Sequence, residues 1–266
     1  MKTKKYILIL CLVFMLFGCS AKKVHNPTLR IVYGMKTKQL LSIKKHYDVM
    51  VINAAKVSRQ DLTQLHKKAK YIYSYLDIAA LNPKSPAFKK LKSLKLMPTV
   101  SGKKYYMNVA DKKWQNYLTK TVKSYEEKGI DGYFIDHSDL YEKRQNNTIY
   151  AGLKTILSSL KKTKSPLILN NAQALVEKDP KILKGIAMIS QEDVFTYWNH
   201  QTNKREDVPE KESLKKKNYL KKMAAMHKHV YVIDFTKKSD WQAVIKAYDK
   251  KYGYSTLFPL KTNYSK

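Results

Sequence analysis

Carboxylate side chains follow several short apolar runs in this chain. The segment Gly-Ile-Asp-Gly-Tyr-Phe-Ile-Asp-His-Ser-Asp at 129–139 holds one such run, which ends at Asp136, and Asp139 lies three residues further on. Three further runs carry carboxylates in the same way, and these are Asp77, Glu192 with Asp193, and Asp234. Because the chain has only 21 acidic residues against 52 lysines and arginines, this placement indicates a common role. A carboxylate at the end of a buried strand requires water, a partner or a substrate, or else it caps the next helix.

Two carboxylates on opposite sides of a sugar are the groups that glycoside hydrolysis requires. One protonates the leaving oxygen, and the other attacks the anomeric carbon or activates water. The acid must hold its proton near neutral pH, which requires a neighbouring negative charge or an apolar wall. A cluster of acids meets the first condition, and Tyr75, Tyr133 and Phe134 are candidates for the second. The sequence therefore favours a hydrolytic site with two carboxylates.

Metal binding is a competing use of the same side chains. Asp136, His137 and Asp139 lie close together in the sequence, and so do His227 and His229. Neither group has the spacing of a recognised metal site, and a strand that continued through His137 would point it away from Asp136. The chain also lacks the Gly-x-Ser-x-Gly motif of serine hydrolases. We therefore expect no catalytic metal and no cofactor.

Strands and helices alternate from residue 29 onward. The predicted strands are 29–33, 48–53, 71–78, 132–136, 167–170, 187–194 and 230–235, with an ambiguous fourth strand in 97–109 and an extended piece at 256–259. The predicted helices are 39–46, 60–70, 86–94, 114–128, 148–162, 179–184, 210–227 and 239–252. Regular alternation without an internal linker predicts one α/β domain over 29–266.

The number of predicted strands and helices favours a (β/α)8 TIM barrel. A doubly wound open sheet is the alternative, but it commonly carries a glycine-rich phosphate loop after its first strand, and Tyr33-Gly34-Met35 offers none. In a barrel the carboxyl ends of the strands converge on one face, which holds the active site. The third, fifth, seventh and eighth predicted strands would bring four carboxylates together there, those of Asp77, Asp136, Glu192 and Asp234.

Other polar and aromatic residues near the strand ends are candidate sugar ligands. Asn170 and Asn171 end the sixth predicted strand and can donate to hydroxyl groups, unless Asn171 only caps the next segment. Trp198 lies in the loop after the seventh strand, where it can stack on a sugar ring or serve as a lid or core residue. The predicted substrate-binding residues are Tyr75, Asp77, Asp139, Asn170, Trp198 and Asp234.

The N-terminus predicts export and lipid attachment. Three lysines precede an apolar stretch at 6–17, which is too short for an ordinary membrane span. Leu16-Phe17-Gly18-Cys19 resembles a bacterial lipobox, in which the cysteine is lipidated. We expect a signal peptide at 1–18, a tether at 19–28 and attachment through Cys19 to the outer face of the cell membrane. A plain secretory signal or an uncleaved anchor is the alternative.

Cys11 leaves with the signal, so the mature chain has no free thiol.

The net charge of +31 comes mostly from lysines spread along the predicted helices. Such lysines form a solvated surface, which also suits anionic lipid head groups or an anionic envelope polymer. The sequence has no arginine-rich stripe and no nucleic-acid-binding motif. We therefore expect a monomer whose partners are a polysaccharide and the membrane, with no nucleic acid.

Several segments resemble glycoside hydrolase family 114, the endo-α-1,4-polygalactosaminidase-like barrel proteins. The similar segments are Tyr-Ile-Tyr-Ser-Tyr-Leu-Asp (71–77), Trp-Gln-Asn-Tyr-Leu (114–118), the 129–139 segment, Leu-Ile-Leu-Asn-Asn (167–171), Ser-Gln-Glu-Asp (190–193) and Val-Tyr-Val-Ile-Asp (230–234). The resemblance implies a TIM barrel with Asp136 and Glu192 as the catalytic carboxylates. The chain differs from the family pattern at His137, where the family usually has Asn, and at 191–193, which is Gln-Glu-Asp rather than Asn-Glu-Glu.

These observations together predict a lipid-anchored, extracytoplasmic glycoside hydrolase acting on an envelope or matrix polysaccharide. A catalytically silent barrel that binds glycan at the cell surface is the alternative, and the presence of both acids favours the enzyme. The resemblance favours a retaining pair, whose carboxyl groups lie about 5–5.5 Å apart. The sequence leaves open which of Asp136 and Glu192 is the nucleophile.

Overall fold

A computed structural model describes residues 27–259 of the chain. Its strands are β1 (Leu29–Ile31), β2 (Tyr47–Ile52), β3 (Ala69–Asp77), β4 (Ala80–Leu81), β5 (Lys95–Pro98), β6 (Tyr105–Met107), β7 (Gly132–Asp136), β8 (Leu167–Asn170), β9 (Met188–Glu192), β10 (Thr196–Asn199), β11 (Lys204–Asp207), β12 (His229–Ile233) and β13 (Ser255–Leu257). The predicted signal peptide, Cys19 and most of the predicted tether lie outside the described residues.

Eight of these strands form one parallel sheet that curves into a nearly closed barrel. Their order is β1-β2-β3-β7-β8-β9-β12-β13. The predicted (β/α)8 TIM barrel is therefore confirmed. β4, β5 and β6 form a separate antiparallel sheet, and β10 pairs with β11 in a hairpin.

The described helices connect the strands and cover the barrel. They are α1 (Thr37–Leu41), α2 (Arg59–Leu65), α3 (Phe88–Leu91), α4 (Lys112–Lys128), α5 (Leu140–Lys143), α6 (Asn147–Lys162), α7 (Gln173–Lys178), α8 (Glu210–Ala225) and α9 (Ser239–Tyr252). Short 3-10 turns occupy Ala54–Lys56, Lys92–Leu94 and Pro180–Leu183. Between residues 27 and 259 none of the helices has the length and apolar character needed to cross a membrane.

Local sequence signals set the ends of the longer helices. Asp111 accepts a hydrogen bond from the backbone N–H of Lys113 and so caps α4, which ends at Gly129 with a φ of 102°. Only glycine adopts such a conformation at little cost, which makes it a common helix stop. Inside α4 the indole of Trp114 is fully buried and donates to the carbonyl of Ile78 at 2.8 Å. This bond fixes α4 against the chain directly after β3.

Two apolar layers lie on either side of the sheet. The barrel interior contains Ile31, Val49, Val51, Tyr73, Phe134, Ile168, Met188, Tyr231, Ile233 and Phe235. The residues between these positions face the helices, because side chains alternate along a strand. Tyr133 is one of them, and its hydroxyl donates to the carbonyl of Val122 in α4. The suggestion that Tyr133 forms an apolar wall beside the acids is therefore wrong, whereas Phe134 does face the interior.

The ambiguous fourth strand lies outside the barrel. The two pieces considered for it form β5 and β6, which pair with each other across a turn at Gly102, where φ is 66°. The fourth barrel strand is instead β7, and the eighth is β13, which the sequence predicted only as an extended piece. The strands that carry the predicted carboxylates are therefore the third, fourth, sixth and seventh of the barrel. Helix α7 and the β10–β11 hairpin were not predicted.

Candidate active site

Asp136 and Glu192 lie at the carboxyl ends of β7 and β9 and are joined by Asn170 at the end of β8. The Nδ2 atom of Asn170 donates to Oδ1 of Asp136 and to Oε1 of Glu192, each at 3.1 Å. The hydroxyl of Ser190 donates to Oδ1 of Asn170 at 2.8 Å and so fixes the orientation of the amide. Side chains two or four residues apart on a strand point to the same side of the sheet. Asp136, Asn170, Ser190 and Glu192 are each separated in this way from an interior apolar residue of their own strand, so they point to the barrel interior. Three neighbouring parallel strands thus deliver one polar cluster to the mouth of the barrel.

The shared amide limits the distance between the two carboxylates. Both oxygens lie 3.1 Å from one nitrogen, so they are at most 6.2 Å apart, which is twice that length. The two N–H bonds of a planar amide diverge by about 120°, and bonds along these directions place the oxygens about 5.4 Å apart. The side chain of Asn171 helps to hold Glu192 in place. Its Oδ1 accepts from the backbone N–H of Glu192 at 2.8 Å and from the side chain of Gln191 at 3.0 Å.

The second oxygen of Asp136 is held by a tyrosine. The hydroxyl of Tyr75 donates to Oδ2 of Asp136 at 2.6 Å. The ring of Tyr75 stacks on Tyr33, with 4.1 Å between the ring centroids, and also stacks with Phe134 at 6.4 Å. These contacts leave Tyr75 little freedom, so both oxygens of Asp136 are fixed by hydrogen-bond donors in place before any substrate binds.

Two cationic side chains lie against Asp136 and Asp77. Nζ of Lys104 is 2.7 Å from Oδ2 of Asp77 and donates to the hydroxyl of Tyr75 at 2.9 Å. Nδ1 of His137 lies between the acids, 3.1 Å from Oδ2 of Asp77 and 3.4 Å from Oδ2 of Asp136. His137 takes a left-handed conformation with a φ of 60°, which ends the strand and turns its ring toward both acids. A strand continued through this residue would have pointed the ring away.

The charges of this cluster set its protonation. Burial by itself would raise the pKa of Asp136, but His137 and Lys104 outweigh it and the pKa lies below its ordinary value. Asp77 responds in the same way, with a pKa well below its usual range. Burial would lower the pKa of His137, yet Asp77 and Asp136 raise it to about 9. At neutral pH the cluster therefore holds two carboxylates, one imidazolium and one ammonium.

Asp139 lies just beyond this cluster. Its Oδ2 accepts from the hydroxyl of Tyr106 at 2.8 Å, and the ring of Tyr106 meets that of His137 edge to face. Burial raises the pKa of Asp139, which favours its protonated form. The structure thus places Asp139 near Asp136 and links it to His137 through Tyr106.

Asp234 does not join the cluster, although it follows β12. Its side chain has no exposed surface, and its Oδ1 accepts from the backbone N–H groups of Phe195 at 2.9 Å and Thr196 at 2.8 Å. The reason is alternation, since Ile233 faces the interior and the next residue must face outward. In the structure Asp234 holds the link between β9 and β10.

Trp198 lies on the hairpin that this link supports. It is half-buried on β10, and the guanidinium carbon of Arg205 on β11 is 5.1 Å from the centre of its ring. His200, at the hairpin turn, has its pKa lowered by burial and by the charge of Lys103. The hairpin turn therefore lies near the β5–β6 turn, which carries Lys104.

A comparison with protein families gives the family of this barrel. The profile described as glycoside-hydrolase family GH114 matches residues 20–263. This chain belongs to family GH114. It is accordingly a glycoside hydrolase by family, which confirms the resemblance seen in the sequence. A comparison with curated proteins found no match.

Solved structures share the barrel of this GH114 protein. The glycoside hydrolase domain of PelA from Pseudomonas aeruginosa has a TM-score of 0.72 at 18% identity, covering 86% of this chain and 93% of that one. Ega3 from Aspergillus fumigatus, in complex with galactosamine, has a TM-score of 0.71 at 12% identity, covering 90% and 93%. The α-galactosidase TtGalA from Thermus thermophilus has a TM-score of 0.61 at 11% identity, covering 87% of this chain and 57% of that one. At these identities the similarity shows the fold.

The histidines considered as metal ligands lie elsewhere in the GH114 barrel. His227 follows α8 and is exposed, and His229 begins β12, at the end of the strand opposite the carboxylate mouth. Across residues 27–259 no group of three or more His, Cys, Asp or Glu side chains has the arrangement of a metal site.

Lys104 is the residue of this GH114 site that sequence reasoning missed. It reaches the mouth from the turn between β5 and β6, outside the barrel, so no strand-end pattern marks it. The turn signal at Ser101-Gly102 indicated a hairpin. Only the packing of that hairpin near β3 brings its lysine to Asp77.

Proposed function

We propose that this protein is a retaining glycoside hydrolase that cleaves a galactosamine-containing polysaccharide of the cell envelope or matrix. The observation that carries the proposal is the bridge from Asn170 to both carboxylates. The two oxygens are at most 6.2 Å apart. Ideal amide geometry gives about 5.4 Å, which fits the 5–5.5 Å typical of a retaining pair, whereas an inverting pair requires about 6.5–9.5 Å to admit water.

The environments of the two acids support different roles. Asp136 accepts donors on both oxygens and lies beside two cations, which favours its ionised form. An ionised carboxylate cannot protonate a leaving group, so we assign Asp136 as the nucleophile. Glu192 is then the general acid and base, because it is the other carboxylate within reach of the same sugar.

The reaction then takes two steps. In the first, a carboxylate oxygen of Asp136 forms a bond to the anomeric carbon while the bond to the leaving oxygen breaks. Glu192 gives its proton to that oxygen. In the second step water bonds to the anomeric carbon, Glu192 takes a proton from the water, and the bond to Asp136 breaks. Tyr75 and Asn170 stabilise the charge that Asp136 loses and regains, and they do so without moving, since both donors are fixed in advance.

The choice of galactosamine has support from outside the chain. Ega3, which shares the barrel, was solved in complex with galactosamine. Within this chain Tyr75 and Asn170 bond Asp136 directly, Asp77 holds Lys104 and His137 beside it, Asp139 lies just beyond them, and Trp198 lies on the hairpin that follows β9. We propose that Asp139 and Trp198 contact the sugars bound beside the cleaved bond.

We further propose that the enzyme acts as a membrane-attached monomer outside the cytoplasm, with Cys19 lipidated. The lipobox-like sequence at 16–19 and the high net charge support this placement. In cells, Cys19→Ser is expected to move the protein from the membrane fraction to the soluble fraction, or to leave its signal uncleaved. Unchanged detergent partitioning together with an unchanged N-terminal mass would contradict the proposal.

Hydrolysis by matched variants tests the catalytic assignment. Asp136→Asn and Glu192→Gln keep the shape of each side chain and remove only its charge or its transferable proton. Each is expected to reduce the release of reducing ends from galactosamine polymers by orders of magnitude, while the melting temperature changes little. Glu127→Gln, an exposed site on α4, is the control and is expected to match the wild type. Full activity in either catalytic variant would refute the assignment.

A further inference from the structure

One wall of the active site is neutral in charge although it is built on two carboxylates. Lys104 and His137 stand against Asp77 and Asp136 at 2.7, 3.1 and 3.4 Å. Each of the four side chains is mostly buried, with exposed fractions from 15% to 24%. At such burial the charges are compensated by each other rather than by solvent.

The other acids at the mouth are Glu192 and Asp139. The reaction proposed above requires Glu192 to enter the first step protonated. Asp139 accepts a hydrogen bond from Tyr106, and its burial favours the protonated form. The other groups that face His137 are Tyr106 at its ring edge and Tyr75 beside Asp136, and both are uncharged. The wall itself therefore carries no net charge when substrate binds, and a protonated Glu192 adds none.

The sugar substituent closest to the carbon that Asp136 attacks is the one at C2, because C2 is bonded to that carbon. Attack by Asp136 places the anomeric carbon about 3–3.5 Å from its oxygen, so the C2 nitrogen of a hexosamine lies within about 6 Å of the same oxygen. An ammonium group at that position loses water and requires a negative partner in return. Asp136 and Asp77 are already matched by Lys104 and His137, so they offer the ammonium no surplus charge. An acetamido group at the same position has no such requirement.

We propose that Lys104 and His137 make this site selective for hexosamines with an uncharged C2 substituent, such as N-acetylgalactosamine, over those with a free ammonium. The proposal rests on the proposed function, because it assumes that Asp136 attacks the anomeric carbon. It identifies His137 as a specificity-determining residue and narrows the substrate to acetylated stretches of the polymer.

Binding by an inactive variant separates this inference from hydrolysis. Purified full-length Glu192→Gln protein is titrated at pH 6 with an α-1,4-linked N-acetylgalactosamine oligosaccharide and with its deacetylated form. We expect at least tenfold tighter binding of the acetylated form. The preference for the acetylated form should weaken by pH 9, because the C2 ammonium of the deacetylated sugar loses its proton near pH 8. Equal or tighter binding of the deacetylated form at pH 6 would overturn the inference, even for an active hydrolase.

A second variant tests the role of His137 itself. His137→Asn, in the same Glu192→Gln protein, removes one positive charge and is expected to improve binding of the deacetylated oligosaccharide about tenfold, with a smaller change for the acetylated one. His66→Asn is the matched control, since His66 lies 3.8 Å from Asp131 near the opposite end of β3. An unchanged ratio in His137→Asn would overturn the inference, and so would the same shift in His66→Asn.

Turnover of the two oligosaccharides by the wild type distinguishes the two proposals. Faster cleavage of the acetylated form supports both the hydrolase and its selectivity. Faster cleavage of the deacetylated form supports the hydrolase and overturns the selectivity. Absence of cleavage of either form refutes the proposed function, and the binding ratio of the inactive variant then decides the selectivity independently.

Discussion

Asp136 and Glu192 accept hydrogen bonds from the same atom, Nδ2 of Asn170, at equal distances of 3.1 Å. One amide therefore sets the spacing of the two acids, and the Ser190 hydroxyl sets the orientation of that amide. The arrangement requires three adjacent strands in a fixed register, in which Asn170 is paired with Ser190. Rigid spacing of this kind suits a reaction whose stereochemical outcome depends on the distance between two carboxylates.

Loss of the shared amide should damage catalysis and shift its pH dependence. We expect Asn170→Ala to lower kcat/KM about 100-fold, because one fixed donor serves both acids. The donor favours the ionised form of Asp136, so without it the acidic limb of the rate profile moves to higher pH. The measurement is kcat/KM from pH 4 to 9, with Asn147→Ala at an exposed position of α6 as the control. A lower rate with an unmoved acidic limb would mean that Asn170 only shapes the pocket.

Removal of the lysine that reaches the site from outside the barrel tests the charge balance. Lys104 lowers the pKa of Asp136 as the second cation after His137. In Lys104→Met that pKa rises, so the acidic limb of kcat/KM is expected to move to higher pH. Activity at pH 5 should then fall more than activity at pH 8. Lys103→Met, on the same turn but exposed, serves as the control, and identical profiles for both variants would disprove the role of Lys104.

The hairpin tryptophan should affect binding more than chemistry. If Trp198 stacks on a sugar beside the cleaved bond, Trp198→Ala is expected to raise KM about tenfold, near 1.4 kcal/mol, with kcat almost unchanged. Tyr71→Ala is the matched control. Tyr71 also lies beside a cation, since Nζ of Lys70 is 5.2 Å from its ring centre, but it lies near the opposite end of β3. A fall in kcat at constant KM would contradict a platform role.

A buried acid far from catalysis should make stability depend on pH. Asp249 is 1% exposed, accepts from the Thr256 hydroxyl at 2.6 Å, and has a pKa raised by burial to about 7. Its contribution to stability is fully present below the unfolded pKa, about 3.9, and is lost as the pH rises through about 7. The difference between these two pKa values corresponds to about 4 kcal/mol of stability.

The variant Asp249→Asn has no proton to lose and can still accept from Thr256. Its melting temperature relative to the wild type is therefore expected to rise between pH 4 and pH 8, by about 5–10 °C. Scanning calorimetry at four pH values measures this difference, with Asp240→Asn, exposed on the same helix, as the control. A difference that stays constant with pH would show that Asp249 keeps an ordinary pKa in the folded protein.

The barrel and the placement of Asp136 and Glu192 at its mouth could be predicted because they follow from local patterns, whereas the catalytic role of the two acids came from the family resemblance. β7 and β8 have the bounds that the apolar runs predicted, and alternation along β7 and β9 carries Asp136 and Glu192 to the same side. The same alternation would have excluded Asp234, which directly follows the interior residue Ile233. A position at the end of a strand shows that a residue lies at the mouth end of the barrel. The alternation of side chains along that strand decides whether its side chain points into the mouth or outward.

The charge environment of the pair could not be predicted in the same way. Lys104 arrives from a hairpin whose position depends on packing near β3, and an isolated lysine in a basic chain gives no signal. His137 joins the site because its backbone leaves the strand with a φ of 60°, a conformation that few residues other than glycine adopt. Tertiary packing imposes both features.

The stereochemistry of the first product tests the central claim, that Asp136 and Glu192 are a retaining pair, most directly. Cleavage of an α-1,4-linked oligosaccharide of galactosamine and N-acetylgalactosamine is followed by proton NMR in the first minutes, before the reducing end equilibrates. We expect the α-anomer to appear first, because Asp136 attacks one face of the sugar and water then enters from the opposite face. Initial formation of the β-anomer would contradict the claim, since water would then be the direct nucleophile and the acids would have to stand about 6.5–9.5 Å apart.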